Sequence, residues 1–352
     1  MDNWNDYLAS HNVPLRADDT AQPAPFGQAL TIADLTGGFV AIVSALGLVA
    51  VKGADAASFL HKQLTSDIDH LAIGEARLAG YCSPKGRLQA TFLVWRDADT
   101  VFLQLPRELQ AALQKRLAMF VMRDKATLSD AGAGQVVLAF GGAAAQAALL
   151  QHVDALPGAP YATVTDPRGT LIRLADAFGA PCYQWWLKPA DAAAVMPALR
   201  SSGALALGGD QAWQLAAIHA GVPHITLKTQ DQFVPQMVNF ELLGGVNFKK
   251  GCYPGQEIVA RSQYLGKLKR RTVLVSIAGA TAQAGDEVFA VSDPGQPCGM
   301  VVNAAANGAG GIDALVEMKL AALTEGDIRL GSADGMPLAL LPMPYPLDAL
   351  EL

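Results

Sequence analysis

The feature that most limits the fold is a change of period along the chain. Up to about residue 270, short strand-like apolar runs alternate with segments of helical period; beyond Arg271 only short β runs remain, separated by Gly-Asp and Pro-Gly turns. Residues 39–43, 46–51, 77–82, 88–95 and 101–105 read as strands. Asp55 can cap a helix carrying Ala56, Phe59, Leu60 and Leu64 at helical spacing, and Leu109, Leu113, Leu117 and Phe120 mark a second helix. From Val136 the order becomes strand (136–140), helix (143–153), strands (171–174 and 183–187) and helix (190–199), which predicts a split β-α-β lobe. A further helix over 210–219 carries Trp213. Residues 233–265 are dense in Gly, Pro, Asn and Gln and read as structured loop with short elements. The chain is therefore predicted to be α+β, with a small C-terminal β-barrel or sandwich and a loosely ordered arm over residues 1–30, where Pro14, Pro23 and Pro25 stand among polar residues.

Composition matters mainly for what it excludes. The 352 residues are 51% hydrophobic and 16% charged, enough to build two or three cores and unlike a disordered chain. The longest largely apolar stretch, 37–51, is too short to span a bilayer, and residues 1–16 lack the apolar core of an export signal, so a cytoplasmic protein is expected. Cys82, Cys182, Cys252 and Cys298 form no CxxC pair and have no metal-ligand spacing, and free thiols fit a reducing compartment. Gly141-Gly142 precedes a helix but lacks the GxGxxG spacing of a dinucleotide turn. The net charge of −6 argues against a nucleic-acid coat, yet Lys249, Lys250, Arg261, Lys267, Lys269, Arg270 and Arg271 are set against the single acid Glu257. Such a segment suits a local anionic ligand: the glutamate tail of a folate, an acidic partner or, least supported, RNA. A solvated charge run is the plain alternative.

The segment from Phe248 to Glu257 carries the most chemistry. Cys252 follows a glycine and precedes Pro254-Gly255, which predicts a tight, accessible loop, and the neighbouring Lys249 and Lys250 favour thiolate. A purely structural loop with a small residue at 252 is the alternative. Gln236 and Asn239 form an amide pair able to read the donor–acceptor edge of a heterocycle such as a pterin, or to satisfy loop backbone groups. Trp213 offers either a flat face for a ring or a core filler.

The run KKGCYPGQEIVAR, Lys249 to Arg261, resembles the K-G-C-x-x-G-Q-E signature of the YgfZ family. FVPQMVNFELLGGVNF leads into it, and LTSDI (64–68), SPKGRL (83–88), WQLAAIHAGVP (213–223) and the Pro-Tyr-Pro at 344–346 follow the family order, so the resemblance covers about residues 35–346. It implies a relative of the glycine-cleavage T-protein, an aminomethyltransferase, with three domains around a central folate-binding opening: a folate-binding α+β domain from 31–130 and 205–270, a second ferredoxin-like lobe from 131–204 and a β-barrel domain from 271–352. It further implies a role in maintaining iron–sulfur enzymes, including one that thiomethylates tRNA, with tetrahydrofolate or a derivative as cofactor and iron–sulfur enzymes or assembly factors as partners. By position, Cys252 is the functional thiol and Lys250, Gly251, Gly255, Gln256 and Glu257 form its loop. The folate contacts implied are Trp213, His219, Gln236, Asn239, Lys250, Tyr253, Gln256, Glu257 and Arg261.

Two departures from the T-protein pattern bear on activity. The essential carboxylate of T-proteins is matched by Ala90 or Thr91, neither of which is a base at neutral pH. The pterin-reading Glu before Ala220-Gly221 is replaced by His219, and Leu46 replaces a folate-contacting Trp. The resemblance thus implies an accessory protein rather than a working enzyme. The alternative is a tetrahydrofolate-dependent one-carbon transferase using Asp67 as its carboxylate.

Overall fold

The computed structural model describes residues 2–11, 13, 29–266 and 268–347. The chain forms two compact units, each assembled from separate segments: Met1–Ala56, Leu71–Ala76 and Val94–Ala216 in the first, Ala57–His70, Arg77–Leu93 and Ala217–Leu352 in the second.

The first unit is organised by a six-stranded sheet with the order Ala206–Gly208, Phe39–Val43, Val136–Gly141, Tyr183–Leu187, Gly169–Arg173 and Thr163–Asp166. Only the first of these pairs is parallel. Alternation along the central strands sends Tyr183, Trp185 and Leu187 with Leu138 and Phe140 into one apolar core, where Val195, Met196 and Leu199 of the helix Pro189–Ser201 cover them. The opposite face is buried too. There Gln104 accepts a 3.0 Å hydrogen bond from Trp186 Nε1 and pairs with Gln184, so its amide is not left unsatisfied. Leu46–Lys52 lies between Thr100–Pro106 and Thr127–Asp130, both antiparallel to it.

The N-terminus departs from the expected loose arm. Asp2–Ser10 is a helix, and Trp4, Tyr7 and Leu8 are buried in the same core, in contact with Pro189–Ser201. Their spacing of three and four residues makes one apolar stripe, and burial of three large side chains outweighs the polar average of the segment. Pro14, Pro23 and Pro25 lie outside the described residues.

In the second unit a six-stranded antiparallel sheet runs in the order Ile328–Leu330, Glu287–Ala290, Gly299–Ala306, Gly311–Lys319, Arg270–Ala278 and Ala339–Leu341. Val273, Val275 and Ile277 alternate inward against Ala314, Val316 and Met318, the period-2 pattern visible in the sequence. The segment expected to be loop over 233–265 contains a 3-10 turn, Pro235–Val238, and a nine-residue helix, Gln256–Tyr264. That helix buries little more than Val259, so it has no apolar stripe to announce it. Two helices end earlier than their periodicity suggests. One spans only Ala145–Leu149, and Arg107–Ala118 stops before Phe120, which is exposed. No helix among the described residues is long and apolar enough to cross a membrane.

Candidate functional site

Four cysteines fall into two environments. Cys82, Cys182 and Cys298 are buried; burial pushes the Cys82 and Cys182 thiols up to about 12 and raises Cys298 as well. Cys252 alone is exposed. Since the thiolate is the nucleophile and the soft ligand, any thiol chemistry with an outside partner falls to Cys252.

The loop bearing it is fixed from both sides. On the N-terminal side, Lys250 Nζ donates to the carbonyls of His61 (2.5 Å) and Leu64 (2.9 Å), at and just beyond the end of the helix Ala56–Gln63, where a cation complements the unpaired carbonyls. The same ammonium lies 4.8 Å from the centre of the Tyr253 ring. Burial lowers Lys250 to about 8, against the opposing pull of Asp67, Asp69 and Cys252. On the C-terminal side, Gly255 opens the helix Gln256–Tyr264 with φ +79°, and a Cβ there would stand 2.3 Å from the Ser83 carbonyl oxygen and 2.7 Å from Gly86. A Cβ on Gly86 would in turn meet Ile258 at 2.8 Å. The SPKG turn and the cysteine loop are therefore nested backbone against backbone, closer than any side chain permits. Gln256 closes the loop on itself by accepting from Tyr253 N at 3.1 Å. Glu257 and Arg261 pair with each other at 2.9 Å on the exposed face of the helix.

The LTSDI segment is knitted into the same region. Thr65, fully buried, donates to Gly245 O (2.5 Å) and accepts from Gly80 N (2.7 Å), while Asn247 N bonds Thr65 O at 2.9 Å. Asp67 is held by two imidazoles: His61 Nδ1 at 3.0 Å and His70 Nδ1 at 2.9 Å. Burial alone would raise its pKa, but the hydrogen bonds from His70 and the charges of His70 and His61 outweigh that and hold it below the ordinary carboxylate range. Arg77 donates to the carbonyls of Asp67 (2.6 Å) and His70 (2.8 Å). Beside these groups is an open cleft of about 560 Å³ lined by Ser66, Asp67, His70, Arg77, Asn247, Phe248, Lys249 and Tyr264, the last two aromatics meeting edge to face at 5.7 Å. His61, His70 and Arg77 were not singled out by sequence; the histidines flanking LTSDI, six residues before Asp67 and three after it, are the only signal for them. Among the described residues no group of three or more His, Cys, Asp and Glu is placed to hold a metal ion.

The amide pair lies in a different, buried polar network. Gln236 Nε2 donates to Val259 O and Asn239 Nδ2 to Thr272 O, both at 2.8 Å, so both amides serve the backbone. Their oxygens, and Glu241 Oε2, are buried without a hydrogen-bond partner among the described residues. Unmatched acceptors in so buried a network suit ordered water. Arg271 joins the same network, donating to Gln236 O at 2.9 Å and to Glu241, whose carboxyl is raised by burial against the lowering effect of Arg271. Tyr345, in the Pro-Tyr-Pro motif, donates to Gly221 O at 2.8 Å and presses so close that a Cβ on Gly221 would overlap its ring.

His219 Nε2 lies 2.7 Å from Asp313 Oδ2, which puts a carboxylate behind the imidazole. Burial would raise Asp313, but hydrogen bonds from His219, Asn307 and Ser276 hold it below the ordinary range. Ala90 and Thr91 are buried, and the Thr91 hydroxyl donates to Pro223 O (3.3 Å) and accepts from Ile225 N (3.1 Å), so it is a structural tie. Trp213 and Leu46 belong to the first unit and are buried, at 6% and 1% exposure. Three of the seven basic residues of the segment are paired with acids: Arg270 with Glu317, Arg271 with Glu241 and Arg261 with Glu257. Lys267 lies outside the described residues. The structure thus gathers Lys250, Gly251, Cys252, Tyr253 and Gln256 in one loop, turns Glu257 and Arg261 outward, and sets Gln236 and Asn239 in a separate buried network.

The fold is that of the glycine-cleavage T-protein. Aminomethyltransferase T from Bartonella henselae superposes with a TM-score of 0.75 over 96% of each chain, at 17% identity. No family model matches the chain. The tRNA-modifying protein YgfZ of Escherichia coli O157:H7 is 32% identical over 245 residues, 68% of this chain and 73% of its own length, and that of Escherichia coli K12 is 31% identical over the same share. The chain belongs to the YgfZ family.

Proposed function

We propose that this protein binds a folate and supports the synthesis or repair of iron–sulfur enzymes, including one that thiomethylates tRNA, through the thiol of Cys252. The observation that carries this reading is the rigid presentation of one exposed thiol among three buried ones, on the loop that bears the family signature. A loop tied down by Lys250, Gly255 and Gln256 holds the sulfur in a fixed place for a partner. A single thiol cannot hold a cluster alone, so the partner or a small thiol supplies the remaining ligands.

Folate binding is supported by the T-protein fold. The transferase alternative finds less support. The positions of the T-protein carboxylate hold Ala90 and Thr91, and Asp67 is already engaged by two histidines.

The test is complementation of a bacterium lacking its YgfZ protein, scored as the thiomethylated fraction of tRNA, with wild type and Cys252→Ser. Restoration by wild type and at least a tenfold loss in the variant supports the thiol; equal restoration by both removes it. Titration calorimetry with tetrahydrofolate tests the cofactor, micromolar binding being expected and absence of heat at millimolar ligand overturning it.

A further inference from the structure

The helix Arg107–Ala118 ends in a turn that carries apolar side chains into water. Met119, Phe120 and Met122 are 66%, 45% and 87% exposed, three large hydrophobic residues within four positions. Exposed apolar residues scattered singly need no account, but a cluster of them marks a contact surface. The turn is firmly built. Met119 N, Phe120 N and Val121 N bond the carbonyls of Arg116, Leu117 and Ala118 at 3.2, 3.0 and 3.3 Å, and Asp124 N bonds Val121 O at 2.8 Å. Its far end is clamped to residues 53–55. Asp55 accepts from Lys125 N at 2.7 Å, Asp55 N donates to Lys125 O at 3.1 Å, and a Cβ on Gly53 would stand 2.1 Å from Lys125 O. Between these anchors Met122 has φ +43°, left-handed backbone that glycine or asparagine adopts more readily. A fixed turn that carries backbone strain and exposes three apolar side chains is not explained by the core of its own unit.

The charges around the turn say what covers it. Lys115 and Arg116 in the last turn of the helix, Arg123 and Lys125 in the turn itself, and Lys52 on the neighbouring strand are all exposed. Lys52 lies opposite Thr127, two residues beyond Lys125. The acids on these segments are Asp124 and Asp55, and the Asp55 carboxylate already accepts from Lys125 N. A positive rim on a chain of net charge −6 calls for an anionic counterpart. We infer that this turn is a docking knob for an acidic protein partner: Met119, Phe120 and Met122 enter an apolar pocket, and Asp or Glu residues around that pocket pair with Lys115, Arg123 and Lys125. A second copy presenting the same turn would set cation against cation, which disfavours an isologous pair. A fluid bilayer needs no fixed shape, whereas a backbone held this tightly is preorganised for a pocket of defined form. Methionine, unbranched and polarizable, lets one knob fit pockets that differ in detail. The inference does not rest on folate or on Cys252.

The test is photo-crosslinking from the full chain in a bacterium lacking its YgfZ protein. Benzoylphenylalanine replaces Met122 or, as the control, exposed Ile73, and the crosslinked peptide is located by mass spectrometry. The expected result is one protein crosslinked at position 122 through a peptide that holds several Asp or Glu residues, at a yield at least fivefold above that at position 73. Adding Lys115→Glu and Arg123→Glu should lower this yield at least fivefold, and Met119→Ser should lower it by about as much. Melting behaviour should stay that of the wild type, because all three side chains are exposed. Lys115→Arg with Arg123→Lys should keep the yield. A yield no higher than at position 73, a crosslinked peptide without acids, or a yield untouched by the charge reversal overturns the inference. So does a crosslink to a second copy of this chain. A crosslink to lipid, with co-sedimentation of the purified chain on vesicles of phosphatidylcholine and phosphatidylglycerol, overturns it too and assigns the turn to a membrane surface.

Discussion

The six-stranded sheet of the first unit and the cysteine-loop region of the second are both tightly held, by different means. In the sheet, large side chains do the work: Phe140, Tyr183 and Trp185 are each at most 1% exposed in one apolar core. Around the loop the contacts are made by backbone and by small or polar groups, with Gly86 against Gly255, Thr65 between two strands of chain, and Lys250 on helix carbonyls. The first region tolerates exchange of one apolar residue for another of similar volume, because burial is non-directional. The second has no such freedom, since a missing hydrogen bond or an added methyl changes where the sulfur sits.

Substitutions can break or sharpen that contrast. The largest loss is expected from Trp185→Ala, about 3–5 kcal/mol from the transfer and cavity terms, read from urea unfolding. A loss below about 1 kcal/mol would show that the sheet core is not held by its aromatics. Gly255→Ala should cost roughly 2–3 kcal/mol, combining a left-handed backbone with a collision against Ser83 O. Thr65→Val, nearly isosteric, strips a buried carbonyl and a buried N–H of their partner at about 1–3 kcal/mol. Gly251→Ala serves as the control within the loop. Its φ is not left-handed and its nearest neighbour is at an ordinary 3.7 Å, so a change within about 0.5 kcal/mol is expected. Equal losses at positions 251 and 255 would mean that the two motifs are not nested.

The smallest effect is one of pH. Lys250 has a folded pKa of about 8, below the ordinary lysine value, because its burial disfavours the ammonium. Between that value and roughly 10.4 the unfolded chain binds more protons than the folded one, so this group's contribution to stability rises with pH across the window. Guanidinium midpoints of wild type measured against Lys250→Met at pH 7 and 9.5 should therefore move in favour of wild type at the higher pH. The opposite slope would mean that Lys250 is stabilised as a cation.

The elements that bury apolar runs were legible in the sequence: residues 136–140 and 183–187, and the short β runs beyond Arg271. The helix Gln256–Tyr264 was not, because it buries one face too narrow to leave a period. The helix Asp2–Ser10 was missed because its three anchors stand among polar residues just before a proline-rich stretch. At the site, Gly251 and Pro254-Gly255 fit the exposed loop that carries Cys252. Why SPKGRL accompanies that loop could not be read, since a glycine-to-glycine contact leaves no pattern in either segment. The Lys250 bonds to the His61 and Leu64 carbonyls were equally hidden, because a helix end and a loop nearly two hundred residues later meet only in the folded chain.

The nesting of Gly86 against the start of the helix at Gln256 also sets a schedule. The SPKG turn leaves the ribosome about 170 residues before Ile258, the residue it packs against. At translation rates of about 5–20 residues per second, that partner is absent for roughly ten to thirty seconds. In that interval residues 57–70 and 77–93 are chain without their unit, while much of the first unit is already available to fold. Birth of this protein therefore includes a waiting period in which the apolar strands of residues 77–93 lack the rest of their unit.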